Sequence, residues 1–170
     1  MSLTLTLTLA GCLAAAFVDV RSRRIPNWLT GSIALVAVVV HAFGGWASLG
    51  VSLAVMAVLT LAGTLVYSRG GIGGGDVKLA ISASALLSYP LCIPFLLYTA
   101  IGGGVLAIGF LAARGKARAT ISRTVLMTMA GAPGLPPGKA ETMPYAVAFA
   151  FGAIMVALGQ TIAPFLRITL

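Results

Sequence analysis

The chain has 170 residues, 59% of them hydrophobic and only 8% charged. Its mean hydropathy is +1.07. A soluble domain carries about a quarter charged residues, so a water-soluble globule is excluded and a single polytopic membrane bundle over 1–170 is expected. The excess of 11 Lys and Arg over 3 acids would suggest nucleic acid in a soluble protein. Here the basic residues lie between apolar runs, so topology accounts for them and no nucleic-acid partner is expected.

Six candidate helices follow in chain order, near 2–18, 29–43, 47–67, 77–90, 92–113 and 142–165. The first, "MSLTLTLTLAGCLAAAF", has no basic n-region and reads as a membrane helix rather than a signal peptide. Its threonines are tolerated because their hydroxyls can bond back to the helix. The second and fourth are short for a span of about 20 residues. The fourth and fifth share a run broken only by "SYPLCIP", where Pro90 and Pro94 suggest the turn; a five-span reading fuses them. Between the fifth and sixth, 114–141 forms the longest loop. Its "TISRTVLMTM" puts Ile121, Val125, Leu126 and Met129 on one face, as in a helix lying in the interface; a solvated connector is the alternative. No internal repeat is visible.

Charge sets the orientation. Arg21, Arg23 and Arg24 follow helix 1. Arg69 and Lys78 flank the loop between helices 3 and 4, and Arg114, Lys116, Arg118, Arg123 and Lys139 lie before helix 6. With these loops in the cytoplasm, ten of the eleven basic residues face inward and only Arg167 faces out. Both termini are then outside, and Asp19, Asp76 and Glu141 share the cytoplasmic side.

The loop "RGGIGGGDVKLA", residues 69–80, sets Asp76 among glycines. It does not fit a dinucleotide fingerprint, because counting from Gly71 puts Asp76 where the last glycine belongs. An aspartate at a helix N-terminus also repels phosphate. The single histidine, His41, excludes an HExxH zinc site and reads as an interfacial residue, with no serine placed for it to activate. Cys12 and Cys92 sit apart in apolar runs and read as buried structural thiols. No metal or cofactor is indicated.

The carboxylates remain. Charged groups at the edge of a membrane segment are costly and often functional. Asp19 ends helix 1 and Asp76 begins helix 4, on one side of the membrane. A pair sharing one proton can activate water while polarising a carbonyl. The bland alternatives are an N-cap role for Asp76 and an ion pair of Asp19 with Arg21, Arg23 or Arg24. Helix-end fields suggest Asp76 as the base and Asp19, at a C-terminus, as the proton holder.

At these residues a family resemblance appears. "DVRSRRIPNWLT" from Asp19, "GIGGGDVKLA" with Gly73, Gly74, Gly75 and Asp76, and "MPYAVAFAFG" with Pro144 and Tyr145 resemble the motifs of type IV prepilin leader peptidases and preflagellin peptidases. These are membrane aspartyl proteases with a G-x-G-D motif. The match is most similar to the short peptidases of tight-adherence (Flp-type) pilus systems. The resemblance implies that Asp19 and Asp76 are catalytic and that the short basic leader of a prepilin or pseudopilin is removed at the cytoplasmic face of a prokaryotic inner membrane. It also allows the pilus secretion machinery as a partner. Lys78 matches the family's lysine and either steers an acidic group or anchors at the membrane surface. Ile25, Pro26 and Asn27 are expected to shape the turn into helix 2. The loop glycines are expected to supply positive φ and close backbone approach. Longer relatives carry a cysteine-paired cytoplasmic region and N-methylate the product; this chain has no such pair, so peptidase activity without methylation is expected. A small proton-coupled transporter using the same carboxylates and a non-catalytic assembly protein are the competing readings.

Overall fold

The computed structural model describes residues 2–69, 72–113 and 145–168. Its described residues form six helices and no strand: α1 (Leu3–Ser22), α2 (Asn27–Phe43), α3 (Trp46–Ser68), α4 (Gly74–Leu87), α5 (Cys92–Ala113) and α6 (Ala146–Ile168). Leu3–Ser22, Trp46–Ser68 and Cys92–Phe110 are each long and apolar enough to cross a membrane. The chain is therefore a polytopic helical membrane protein. The interfacial helix expected within 114–141, Glu141 and Pro144 lie outside the described residues.

The N-terminal threonines bond back as expected: Thr8 Oγ1 donates to the Thr4 carbonyl at 2.8 Å and Thr6 Oγ1 to that of Ser2 at 3.3 Å. Helix α1 then runs four residues beyond the expected end. Arg23, at φ 52°, stops it by donating its N–H to the Asp19 carbonyl at 2.7 Å, the left-handed cap that terminates many helices. The buried face of α1 is Leu5, Thr8, Cys12, Ala15 and Asp19. That alternation of threes and fours is one helical stripe, so Asp19 points inward on the same seam as the apolar residues.

Helix α4 packs against all five others. It is buried all round at Ser82–Leu87, as a helix in the middle of a bundle must be. Small side chains at Ser82, Ala83, Ser84 and Ala85 let its neighbours approach. On α3, Gly63 does the same: a Cβ there would sit 2.5 Å from Val77 Cγ1.

With 14 residues, α4 is about 21 Å long and ends inside the bundle, where its last carbonyls need partners. The accounting is nearly complete. Ser88 N–H donates to the Ser84 carbonyl at 2.8 Å. Ser52 Oγ on α3 donates to Ala85 at 2.8 Å, and His41 Nε2 on α2 lies 3.1 Å from the Leu86 carbonyl. A carbonyl only accepts, so His41 carries its proton on Nε2, and Nδ1 accepts from Ser48 Oγ at 2.8 Å. His41 is thus buried rather than interfacial, because the end of α4 needs its donor. We expect Ser52→Ala to cost about 1–3 kcal/mol by orphaning the Ala85 carbonyl, read as a lowered thermal midpoint in detergent.

The break after Ser88 separates α4 from α5, so the two are not one fused helix. Gly152 closes the α5–α6 seam: a Cβ there would collide with Thr99 Oγ1 and meet the Phe95 carbonyl at 2.9 Å. Cys12 and Cys92 are buried and unbridged, as expected.

Candidate functional site

Four chain segments meet at one end of the bundle: the end of α1, the turn into α2, the start of α4 and the start of α6. Asp19 is 5% exposed. Its Oδ2 accepts the Ala146 backbone N–H at 3.0 Å in a buried contact. Ala146 is the first residue of α6, whose opening N–H groups have no partner within the helix. Asp19 therefore caps α6 from another helix. The ion-pair alternative with Arg21, Arg23 or Arg24 is not what is found: among the described residues no ion pair is formed, and the backbone of α6 takes the carboxylate. Asp19 now also lies at the N-terminus of a helix. The field argument that made it the proton holder therefore no longer separates the two acids.

Asp76 is half-buried and lies close enough to Asp19 to feel its charge. It is not an N-cap. Gly73 holds that position at φ −67°, and α4 begins at Gly74, three residues before the expected start. Asp76 is the third helical residue, with its carboxyl turned back over Gly73; a Cβ on Gly73 would stand 2.9 Å from Asp76 Oδ2. Gly74 and Gly75 admit neighbours in the same way. A Cβ on Gly74 would meet the Tyr67 ring at 3.3 Å, and one on Gly75 would meet Ile25 Cβ at 3.3 Å. Among the described glycines only Gly45 has a positive φ. The loop glycines at 73–75 thus serve close approach, not left-handed backbone.

Pro26 and Asn27 start α2 as expected: the Pro26 carbonyl accepts the Leu29 N–H at 3.1 Å. Asn27 has a second contact that sequence reasoning missed. Its Oδ1 accepts from Lys78 Nζ at 2.8 Å, joining the turn after Asp19 to the helix that carries Asp76. Through this bond Lys78 ties the two aspartate-bearing segments together.

Tyr145 stands at the turn into α6, its carbonyl accepting the Ala148 N–H at 3.0 Å. Its ring lies against Gly103 of α5, where a Cβ would be 2.6 Å from the phenol oxygen. Asp76 and Tyr145 both line an apolar cavity of about 370 Å³ between α3, α4, α5 and α6. The arrangement offers two carboxyls at one bundle end, one fixed by a backbone N–H and the other facing a cavity.

A family model of the type IV leader peptidase family matches residues 6–108, well over half of the chain. The chain belongs to the type IV leader peptidase family. The match takes in α1 to most of α5, and with them both aspartates, Pro26, Asn27 and Lys78. Neither a curated protein nor a solved structure matches the chain significantly. Membership makes this membrane protein a peptidase and implies a prepilin substrate, ahead of the transporter and assembly readings. Tyr145 and Ala146 lie beyond the match, and the structure alone brings them to the aspartates.

Proposed function

We propose that the chain is an aspartic-type endopeptidase that removes the basic leader of a type IV prepilin or pseudopilin, with Asp19 and Asp76 as its catalytic pair. The observation that carries this reading is the convergence at one bundle end of the segments holding two carboxyls 57 positions apart in sequence, tied by the Asn27–Lys78 bond and by Asp19 accepting the Ala146 N–H, with Asp76 lining an apolar cavity. Two close carboxylates retain one proton between them. One carboxylate takes a proton from water, whose oxygen attacks the scissile carbonyl carbon. The protonated partner donates to the carbonyl oxygen as it becomes an oxyanion. Collapse of the tetrahedral intermediate breaks the C–N bond; the leaving nitrogen takes a proton from one carboxyl while a hydroxyl of the intermediate returns one to the other, so the pair again holds one proton. The Ala146 N–H, accepted by Asp19 Oδ2, holds the Asp19 carboxyl in place. The proton belongs to the pair rather than to one residue.

The charge distribution supports a site at the cytoplasmic face of a prokaryotic inner membrane, with both termini outside. The motif resemblance supports a tight-adherence (Flp-type) substrate and, with it, the corresponding secretion machinery as a partner. The test is direct: purified protein is incubated in detergent with Flp-type and other prepilins, and leader removal is followed by mass. Cleavage of an Flp-type prepilin is expected. No cleavage of any prepilin would overturn the reading.

A further inference from the structure

The cavity beside Asp76 is almost wholly apolar. Among the described residues that line it, only Asp76, Thr99 and Tyr145 carry polar side chains. The two hydroxyls differ. Thr99 is 5% exposed, and its Oγ1 is sealed off without a hydrogen-bond partner, against the backbone of Gly152. Tyr145 is half-buried, and no described residue bonds its phenol. A buried phenol O–H ordinarily finds a partner. This one is the open donor on the cavity wall, and the proton transfers between Asp19 and Asp76 make no use of it.

The phenol is held at both ends of its side chain. Tyr145 immediately precedes Ala146, whose N–H is accepted by Asp19 Oδ2 at 3.0 Å. Its own carbonyl accepts the Ala148 N–H at 3.0 Å, which fixes the backbone at the entry to α6. The far end rests on α5. A Cβ on Gly103 would lie 2.6 Å from the phenol oxygen, 2.7 Å from Cε1 and 2.8 Å from Cζ, so any other residue there would push the hydroxyl aside. Glycine is unfavourable inside a helix, and the phenol is its packing reason at position 103. One carboxyl thus sets the backbone that carries the phenol, and the other shares the phenol's cavity.

We propose that Tyr145 is a third catalytic residue, whose phenol O–H donates a hydrogen bond to the scissile carbonyl oxygen as negative charge develops there. The proposal rests on the peptidase reading above and adds a residue to it. The carboxyl pair supplies one proton to that oxygen, and a carbonyl oxygen has a second lone pair to be met. A fixed donor aimed at developing charge in an apolar site is a large source of rate. The phenol keeps its own proton, so the pair still holds one proton after each turnover. Thr99 does not fill this role from where it stands, because its hydroxyl is closed off against α6. A purely packing role for the Tyr145 ring is the competing reading.

Steady-state cleavage of prepilin in detergent tests it. Tyr145→Phe keeps the ring over Gly103 and removes only the hydroxyl. It is expected to lower kcat about a hundredfold, the loss that follows deletion of one oxyanion donor, with KM and thermal midpoint near wild type. A wild-type kcat overturns the proposal. So does a loss confined to KM, which marks binding shared by ground and transition states. Gly103→Ala pushes the phenol aside and is expected to lower kcat about tenfold. In the Tyr145→Phe background the same change is expected to cost nothing further in kcat, since the displaced ring no longer carries a donor. Losses that multiply in the double variant assign both positions to packing and overturn the proposal. Each of these outcomes leaves the peptidase reading standing; failure of the wild-type protein to cleave any prepilin overturns both.

Discussion

Asp19→Asn and Asp76→Asn are each expected to lower leader removal by at least about a hundredfold to ten-thousandfold, the range that a positioned proton-transfer group contributes. Asparagine is the informative replacement because it keeps shape and loses only the proton chemistry. At position 19 its amide oxygen can still accept the Ala146 N–H that Asp19 Oδ2 accepts at 3.0 Å. The start of α6 therefore stays capped and the bundle stays folded. Asp19→Ala is a different experiment, since it also leaves that buried N–H without a partner, at about 1–3 kcal/mol. At position 76, asparagine removes a like charge beside Asp19, so stability is expected to hold or rise. Thermal unfolding in detergent separates these effects from catalysis. Prepilin cleavage at the wild-type rate by either asparagine variant would contradict a catalytic pair.

Gly73→Ala is expected to impair catalysis without unfolding the protein. The added Cβ would stand 2.9 Å from Asp76 Oδ2, closer than nonbonded atoms tolerate. The atom in its way ends a rotatable side chain, so the carboxyl yields and the backbone does not. Backbone strain is absent as well, because Gly73 has φ −67° and ψ 142°, a region open to alanine. A reacting group displaced by about 1 Å can lose about a hundredfold in rate. We therefore expect kcat to fall about tenfold to a hundredfold, with KM and thermal midpoint close to wild type. Wild-type kcat would show that the position of the Asp76 carboxyl over Gly73 is irrelevant to function.

Much of this architecture was legible in the sequence because the signals were local. Long apolar runs marked the helices. The inward direction of Asp19 was not legible, because helix 1 is apolar nearly all round and its Leu5, Thr8, Cys12, Ala15 stripe is defined only by burial. What escaped was non-local. The Ala146 N–H that holds Asp19 is 127 positions away, and a backbone donor leaves no mark on residue type. The Asn27–Lys78 bond joins two motifs that each have a sufficient local explanation alone. His41 looked interfacial because nothing in the sequence shows that α4 stops short and leaves the Leu86 carbonyl in need of a donor. The glycines at 73–75 suggested positive φ, the commonest reason for glycine in a loop. Their actual reason, the nearness of Asp76, Tyr67 and Ile25, exists only once the helices have packed. Helix α4 began early for the same reason: tertiary contacts outweighed the poor helix propensity of Gly74 and Gly75.

The central claim is that Asp19 and Asp76 act as one unit. Residual cleavage of a prepilin by Asp19→Asn, Asp76→Asn and the double variant, each confirmed folded, tests it most directly. Groups that act together lose nearly everything when either is removed. The account predicts three equal residual rates; losses that multiply in the double variant, or a single variant that cleaves as fast as the wild-type protein, would contradict it.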